Sequence, residues 1–150
     1  MKKALLFLII AAAGCSIPAA NKKTSQQKFK APSGFNFRLA VSDTGITNPA
    51  DDRRTYYRVY IDKSEEGRTT TGLESQEKTF EASLQSNRHL VMIEKWVLDE
   101  KTSSYTKLNN VEQPRPNFYY FDAEPEKILI LKIKVGKDRR AVYSVDFERE

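Results

Sequence analysis

Hydrophobic and polar positions alternate with a period of two along most of this chain, the pattern of strands that bury one face. In 35–41, Phe35, Phe37, Leu39 and Val41 fall on one side of a strand. A segment with Gly45, Asn48-Pro49 and Asp51-Asp52 follows and reads as a loop. The pattern resumes in 55–61, with Tyr57, Val59 and Ile61 on one face and Tyr56, Arg58 and Tyr60 on the other. A polar turn over 62–67 then leads to a hairpin partner over 68–73. Between 74 and 85 the pattern is ambiguous between helix and strand; Thr79-Phe80 and the lack of a helix cap favour the strand.

The longest run, 88–100, is apolar on both sides. Leu90, Met92, Trp96 and Leu98 share one face, and Val91, Ile93 and Val97 the other. Such a strand is central and covered on both sides, or bends between two sheets. A return strand is expected over 105–108, then an irregular loop with Pro114 and Pro116, then a short aromatic strand over 117–121. The clearest hairpin joins 127–135 to 141–147: Leu129, Leu131, Ile133 and Val135 face Ala141, Tyr143, Val145 and Phe147 across a polar, Gly136-containing loop. Eight or nine short strands with no strong helix predict an all-β domain over 34–150. The expected form is an antiparallel β-sandwich of immunoglobulin-like architecture, with a closed barrel as the alternative.

The first 33 residues break this rhythm. Lys2-Lys3 precede an unbroken apolar run from Ala4 to Ala13, and Gly14-Cys15-Ser16 follow. The run has the length of a signal-peptide core and falls short of the roughly 20 residues of a spanning helix. Ala12-Ala13-Gly14-Cys15 resembles the lipobox of bacterial lipoprotein precursors, with Ala12 at a position where that family usually carries leucine. The resemblance covers about a tenth of the chain. It implies cleavage between Gly14 and Cys15, a diacylglyceryl group on the Cys15 thiol, and acylation of the new amino terminus. At about 0.8 kcal/mol per buried methylene, two or three such chains make attachment effectively permanent. Ordinary secretory cleavage at Ala11-Ala12-Ala13 or Pro18-Ala19-Ala20 and an uncleaved anchor are the competing readings. The segment 15–33, rich in Lys, Ser, Gln, Ala and Pro, reads as a lipidated N-terminus and flexible linker with ends about 25 Å apart. Ser16 after the cysteine resembles lipoproteins passed on to the outer membrane.

Composition agrees with export. Cys15 is the only cysteine, so the domain forms no internal disulfide. The formal charge is +5, and removal of Lys2 and Lys3 lowers it to about +3. No basic helix or clustered Lys/Arg face accompanies that surplus, which argues against a nucleic-acid partner.

Candidate chemistry downstream is sparse. His89, the single histidine, lacks a metal-ligand spacing and reads as solvent-facing or core-edge. There is no Gly-x-Ser-x-Gly elbow. Asp51-Asp52 and Glu65-Glu66 are adjacent pairs that point apart rather than across a cleft, and Asp43, Asp51 and Asp52 lack the spacing of a calcium loop. No catalytic residue, metal ligand or cofactor is expected. The aromatics are the better clue: Tyr56, Arg58, Tyr60, Tyr119 and Phe121 form the candidate binding face, since Tyr with Arg on an exposed sheet is the composition of interface hot spots. The expected protein is a non-catalytic, lipid-anchored envelope module with a protein or glycan partner, sited at the outer rather than the inner membrane. A carrier of a lipid or other apolar ligand between the sheets is the alternative, motivated by the two-sided strand over 90–98.

Overall fold

The computed structural model describes residues 34–124 and 126–148. The expected signal peptide, its cleavage point at Gly14 and Cys15, and the linker lie outside the described residues. Ten strands follow in order: β1 (Phe37–Asp43), β2 (Arg54–Ile61), β3 (Ser64–Arg68), β4 (Gly72–Leu73), β5 (Lys78–Ala82), β6 (Arg88–Asp99), β7 (Ser104–Lys107), β8 (Phe118–Asp122), β9 (Ile128–Val135) and β10 (Ala141–Glu148). They form two sheets. One has four strands in the order β10-β9-β1-β5. The other has six, running β3-β2-β6-β7, with β4 also paired to β2 and β8 to β6. The expected all-β sandwich is therefore present, with the segment 74–85 contributing a strand and only one short 3-10 turn, Pro49–Asp51, among the described residues.

Two details differ from the period-two reading. β1 pairs in parallel with β9, with Phe37 opposite Leu129 and Val41 opposite Ile133, so the sandwich is not purely antiparallel. The turn expected over 62–67 contracts to Asp62-Lys63. Both residues take positive φ, 51° and 71°, as a two-residue type I′ hairpin requires, and the return strand therefore starts at Ser64. A bulge between Val59 and Tyr60 shifts the register of that hairpin, and opposite it Gly67 has φ +148°. A Cβ at Gly67 would meet the Phe80 ring at 3.2 Å.

The inward positions of the two sheets meet in one core: Phe37, Leu39 and Val41 from β1, Val59 and Ile61 from β2, Val91 and Ile93 from β6, Phe121 from β8, and Leu129, Leu131 and Ile133 from β9. Each such side chain contributes about 1.5–3 kcal/mol on leaving water. Towards the other end the inward positions become polar, with Asp43, Tyr57, Lys78 and Lys95 all buried. The second apolar side of β6, Leu90 to Leu98 on even positions, is the outer surface of the six-stranded sheet and is only partly exposed.

Candidate functional site

Strand pairing assembles the outer surface of the six-stranded sheet. Across β2 and β6, Tyr56 lies opposite Trp96, Arg58 opposite Glu94, and Tyr60 opposite Met92. β8 sets Phe118 beside Met92 and Tyr120 beside Leu90, and β7 sets Tyr105 beside Leu98 and Lys107 beside Trp96. Non-adjacent stretches of chain thus contribute one aromatic surface divided by a charged row.

Trp96 is the centre of one half. The Tyr56 ring stacks near it at 6.1 Å and 8°, and the Arg58 guanidinium lies 4.1 Å from its centroid. Tyr105 packs on Tyr56 at 4.9 Å, and the Arg68 guanidinium lies 5.2 Å from the Tyr56 ring. These neighbours cover Tyr56 to 5% exposure even though it points away from the core. Within the described residues, the Trp96 Nε1 is buried with no hydrogen-bond partner. In the charged row, Glu94 accepts from the Tyr60 hydroxyl at 3.0 Å and from Lys107 Nζ at 2.5 Å, and Arg58 approaches Glu65 at 3.5 Å. Burial pulls the Glu94 carboxyl up, but the Lys107 and Tyr60 donors outweigh it and hold the group below its ordinary range. Burial, and then the bond to Glu94, push the Tyr60 hydroxyl up.

The other half corrects the expected binding face. Tyr56, Arg58 and Tyr60 are on the outer surface, but Tyr119 and Phe121 are not. β8 pairs with β6 so that Tyr119 sits opposite Val91 and Phe121 opposite His89, which commits both rings to the inward side. Phe121 is 4% exposed and stacks on Phe37 at 4.9 Å; Tyr119 stacks on Tyr143 at 5.0 Å. The outward rings are Phe118 and Tyr120, 47% and 51% exposed, in an edge-on contact at 6.2 Å. The Arg88 guanidinium lies 5.2 Å from the Tyr120 ring. One signal in the sequence points this way: Asp122 shares the parity of Phe118 and Tyr120, and a charged residue marks the solvent side.

The outer surface of the four-stranded sheet is an ordinary solvated face by comparison. Arg38 pairs with Glu81 at 3.0 Å and Lys132 with Asp146 at 2.7 Å. His89 is a buried core-edge residue rather than a solvent-facing one. Its Nδ1 lies 2.7 Å from Asp62 Oδ2 and its Nε2 2.8 Å from the Gln85 carbonyl, tying the β2–β3 turn to β6.

A buried ionic network, not anticipated from the sequence, closes one end of the core. Lys95 Nζ lies 2.5 Å from Asp43 Oδ1 and 3.3 Å from Glu74 Oε1. Tyr57 donates its hydroxyl to Asp43 Oδ2 at 2.7 Å, and Arg53 reaches Glu74 at 2.8 Å. Lys78, fully buried, donates to the carbonyls of Leu73, Glu74 and Gln76 at 2.6–2.9 Å. Burial depresses the Lys78 ammonium's pKa, against the attraction of Asp43. Burial, then Asp43, push the Tyr57 hydroxyl well up. Asp43, Glu74 and Lys95 form part of the wall of a cleft of about 490 Å³, which Arg53, Lys137 and Arg139 also line. The buried charges there are bonded to one another, as a brace between sheets requires. Among the described residues, no group of three or more His, Cys, Asp or Glu is placed to hold a metal ion.

Comparison of the chain with protein-family models, curated proteins and solved structures finds no match.

Proposed function

We propose that this chain is a lipid-anchored cell-envelope protein, held through Cys15 at the outer rather than the inner membrane. Its β-sandwich acts as a non-catalytic binding or accessory module for an envelope protein or glycan. The observation that carries the binding role is the outer surface of the six-stranded sheet, where Phe118 and Tyr120 are half-exposed beside Tyr60, Met92 and Leu90. An apolar aromatic patch bordered by arginines is the composition of a recognition surface. The two-sided apolar β6, which motivates the carrier alternative, supports the surface reading better. Its inner side packs in the core and its outer side belongs to this patch.

Two experiments test the parts separately. Cys15→Ala followed by fractionation tests the anchor: the variant should leave the membrane fraction and lose its acylated, processed form. Unchanged partitioning and size would remove the lipoprotein reading. A photo-reactive amino acid placed at Phe118 in the native host tests the binding role, because a module engaged through this face must give a discrete adduct.

A further inference from the structure

The charge around the aromatic patch narrows the partner. We infer that the face receives a protein surface carrying carboxylates around an apolar centre, an inference that rests on the binding-module reading above.

Strand register puts five cations on this surface, Arg54, Arg58, Arg68, Arg88 and Lys107, against three carboxylates, Glu65, Glu94 and Asp122. Arg58 and Lys107 are taken up by Glu65 and Glu94. Among the described residues, Arg54, Arg68 and Arg88 form no ion pair with a carboxylate; Arg68 and Arg88 lie against the Tyr56 and Tyr120 rings instead. The opposite sheet provides an internal control. Its outer surface carries Arg38, Lys132 and Lys134 against Glu81, Asp146 and Glu148, in balance, with Arg38 and Lys132 both ion-paired. Between the two outer sheet surfaces, guanidinium without an ion pair is therefore found on the aromatic one.

A guanidinium resting on a ring has lost much of its rotamer freedom in the free protein, and its edge still presents parallel N–H donors to a carboxylate. Ordering those side chains on binding then costs less. On the same surface lie Met92, Phe118 and Tyr120, residue types enriched at protein–protein interface cores. The ring geometry favours protein over glycan. Phe118 and Tyr120 are inclined at 78° and form no common platform for sugar rings. The parallel pair, Tyr56 and Trp96, is already covered, Tyr56 to 5% exposure and Trp96 by Arg58. Inclined rings with gaps between them suit side-chain knobs.

The test extends the photo-crosslinking at Phe118 to the full chain carrying Arg68→Glu with Arg88→Glu, and separately Arg68→Lys with Arg88→Lys. A probe at Val142, exposed on the opposite sheet, is the control. The expected result is a protein adduct at Phe118, absent at Val142, with the crosslinked peptide drawn from a surface containing Asp or Glu. The Glu pair should lower its yield at least tenfold and the Lys pair less, with the thermal midpoint unchanged for both, because reversed rim charges repel the partner. A glycan or lipid adduct, or a protein adduct whose yield ignores the Glu pair, overturns the acidic-protein inference and leaves the binding module standing. No adduct at Phe118 overturns the binding module itself.

Discussion

Lys95→Met should cost this fold about 3 kcal/mol. Lys95 belongs to the six-stranded sheet and Asp43 to the four-stranded one, so their 2.5 Å contact spans the sandwich where its core is polar. Methionine keeps the apolar stem and removes the ammonium. The Asp43 carboxylate, 9% exposed, would retain the Tyr57 hydroxyl and Lys78 Nζ at 3.9 Å, and Glu74 would retain Arg53. Breaking a buried pair on one side costs about 3–5 kcal/mol, and these surviving partners set the lower end of that range. Asp43→Asn leaves Tyr57 an acceptor but deprives Lys95 of one anion. If the contact holds the sheets together as a pair, the double variant is less destabilised than the sum of the singles by about 0.5–3 kcal/mol. Urea unfolding followed through Trp96, the only tryptophan, reads all four proteins. With a slope of about 1–3 kcal/mol/M, the single variant's midpoint should fall by about 1–3 M without a change in slope. A loss below about 1 kcal/mol, or strict additivity in the double variant, would refute the bracing role.

Neighbouring residues of β8 should separate cleanly: Phe121→Ala loses about 3–5 kcal/mol, because it empties a site stacked on Phe37, whereas Phe118→Ala stays within about 0.5 kcal/mol. Equal losses in urea unfolding would mean the face assignment is wrong. Raised tyrosine pKa values make stability pH-dependent at the alkaline end. Burial lifts the Tyr143 hydroxyl, and burial then Asp43 lift Tyr57, above the ordinary 10.0. Their contribution is whole below pH 10 and drains away as pH rises towards the folded values, while Lys78, depressed below 10.5, works in the opposite sense across its own window. Tyr143→Phe should therefore flatten the fall in stability between pH 10 and about 11; an unchanged slope in denaturant titrations counts against it. Burial raises the Asp62 carboxyl, but the Leu90 amide and His89 outweigh it and hold the group low, so its contribution exists above about pH 4 and is lost on acidification. Asp62→Asn should cost about 1 kcal/mol at neutral pH and weaken the acid dependence of the unfolding midpoint.

What was legible in the sequence depended on whether a residue's neighbours in the chain or its neighbours across the sheet decide its place. Period-two alternation located β1, β2, β6, β9 and β10, and it assigned Tyr56, Arg58 and Tyr60 to the side opposite Tyr57, Val59 and Ile61, because an apolar set and a mixed set differ within one strand. It failed over Phe118 to Phe121, where every position is aromatic. There the pairing of Phe121 with His89 chooses the face, and only Asp122 carried a trace of that choice. The ionic brace was written in the same alphabet but against the rule that inward positions are apolar. Asp43 continues the parity of Phe37, Leu39 and Val41, and Lys95 that of Ile93 and Val97, so each has a core address. A lone charge at such a position is prohibitive, and two of opposite sign on different strands are tolerable only if they meet. That reasoning turns an apparent violation of the pattern into a prediction of contact between β1 and β6. It also explains the outer face: charges that belong in the core are paired there, while Arg54, Arg68 and Arg88 form no ion pair with a carboxylate among the described residues. Of the two outer sheet surfaces, the aromatic one carries the arginines without a carboxylate partner.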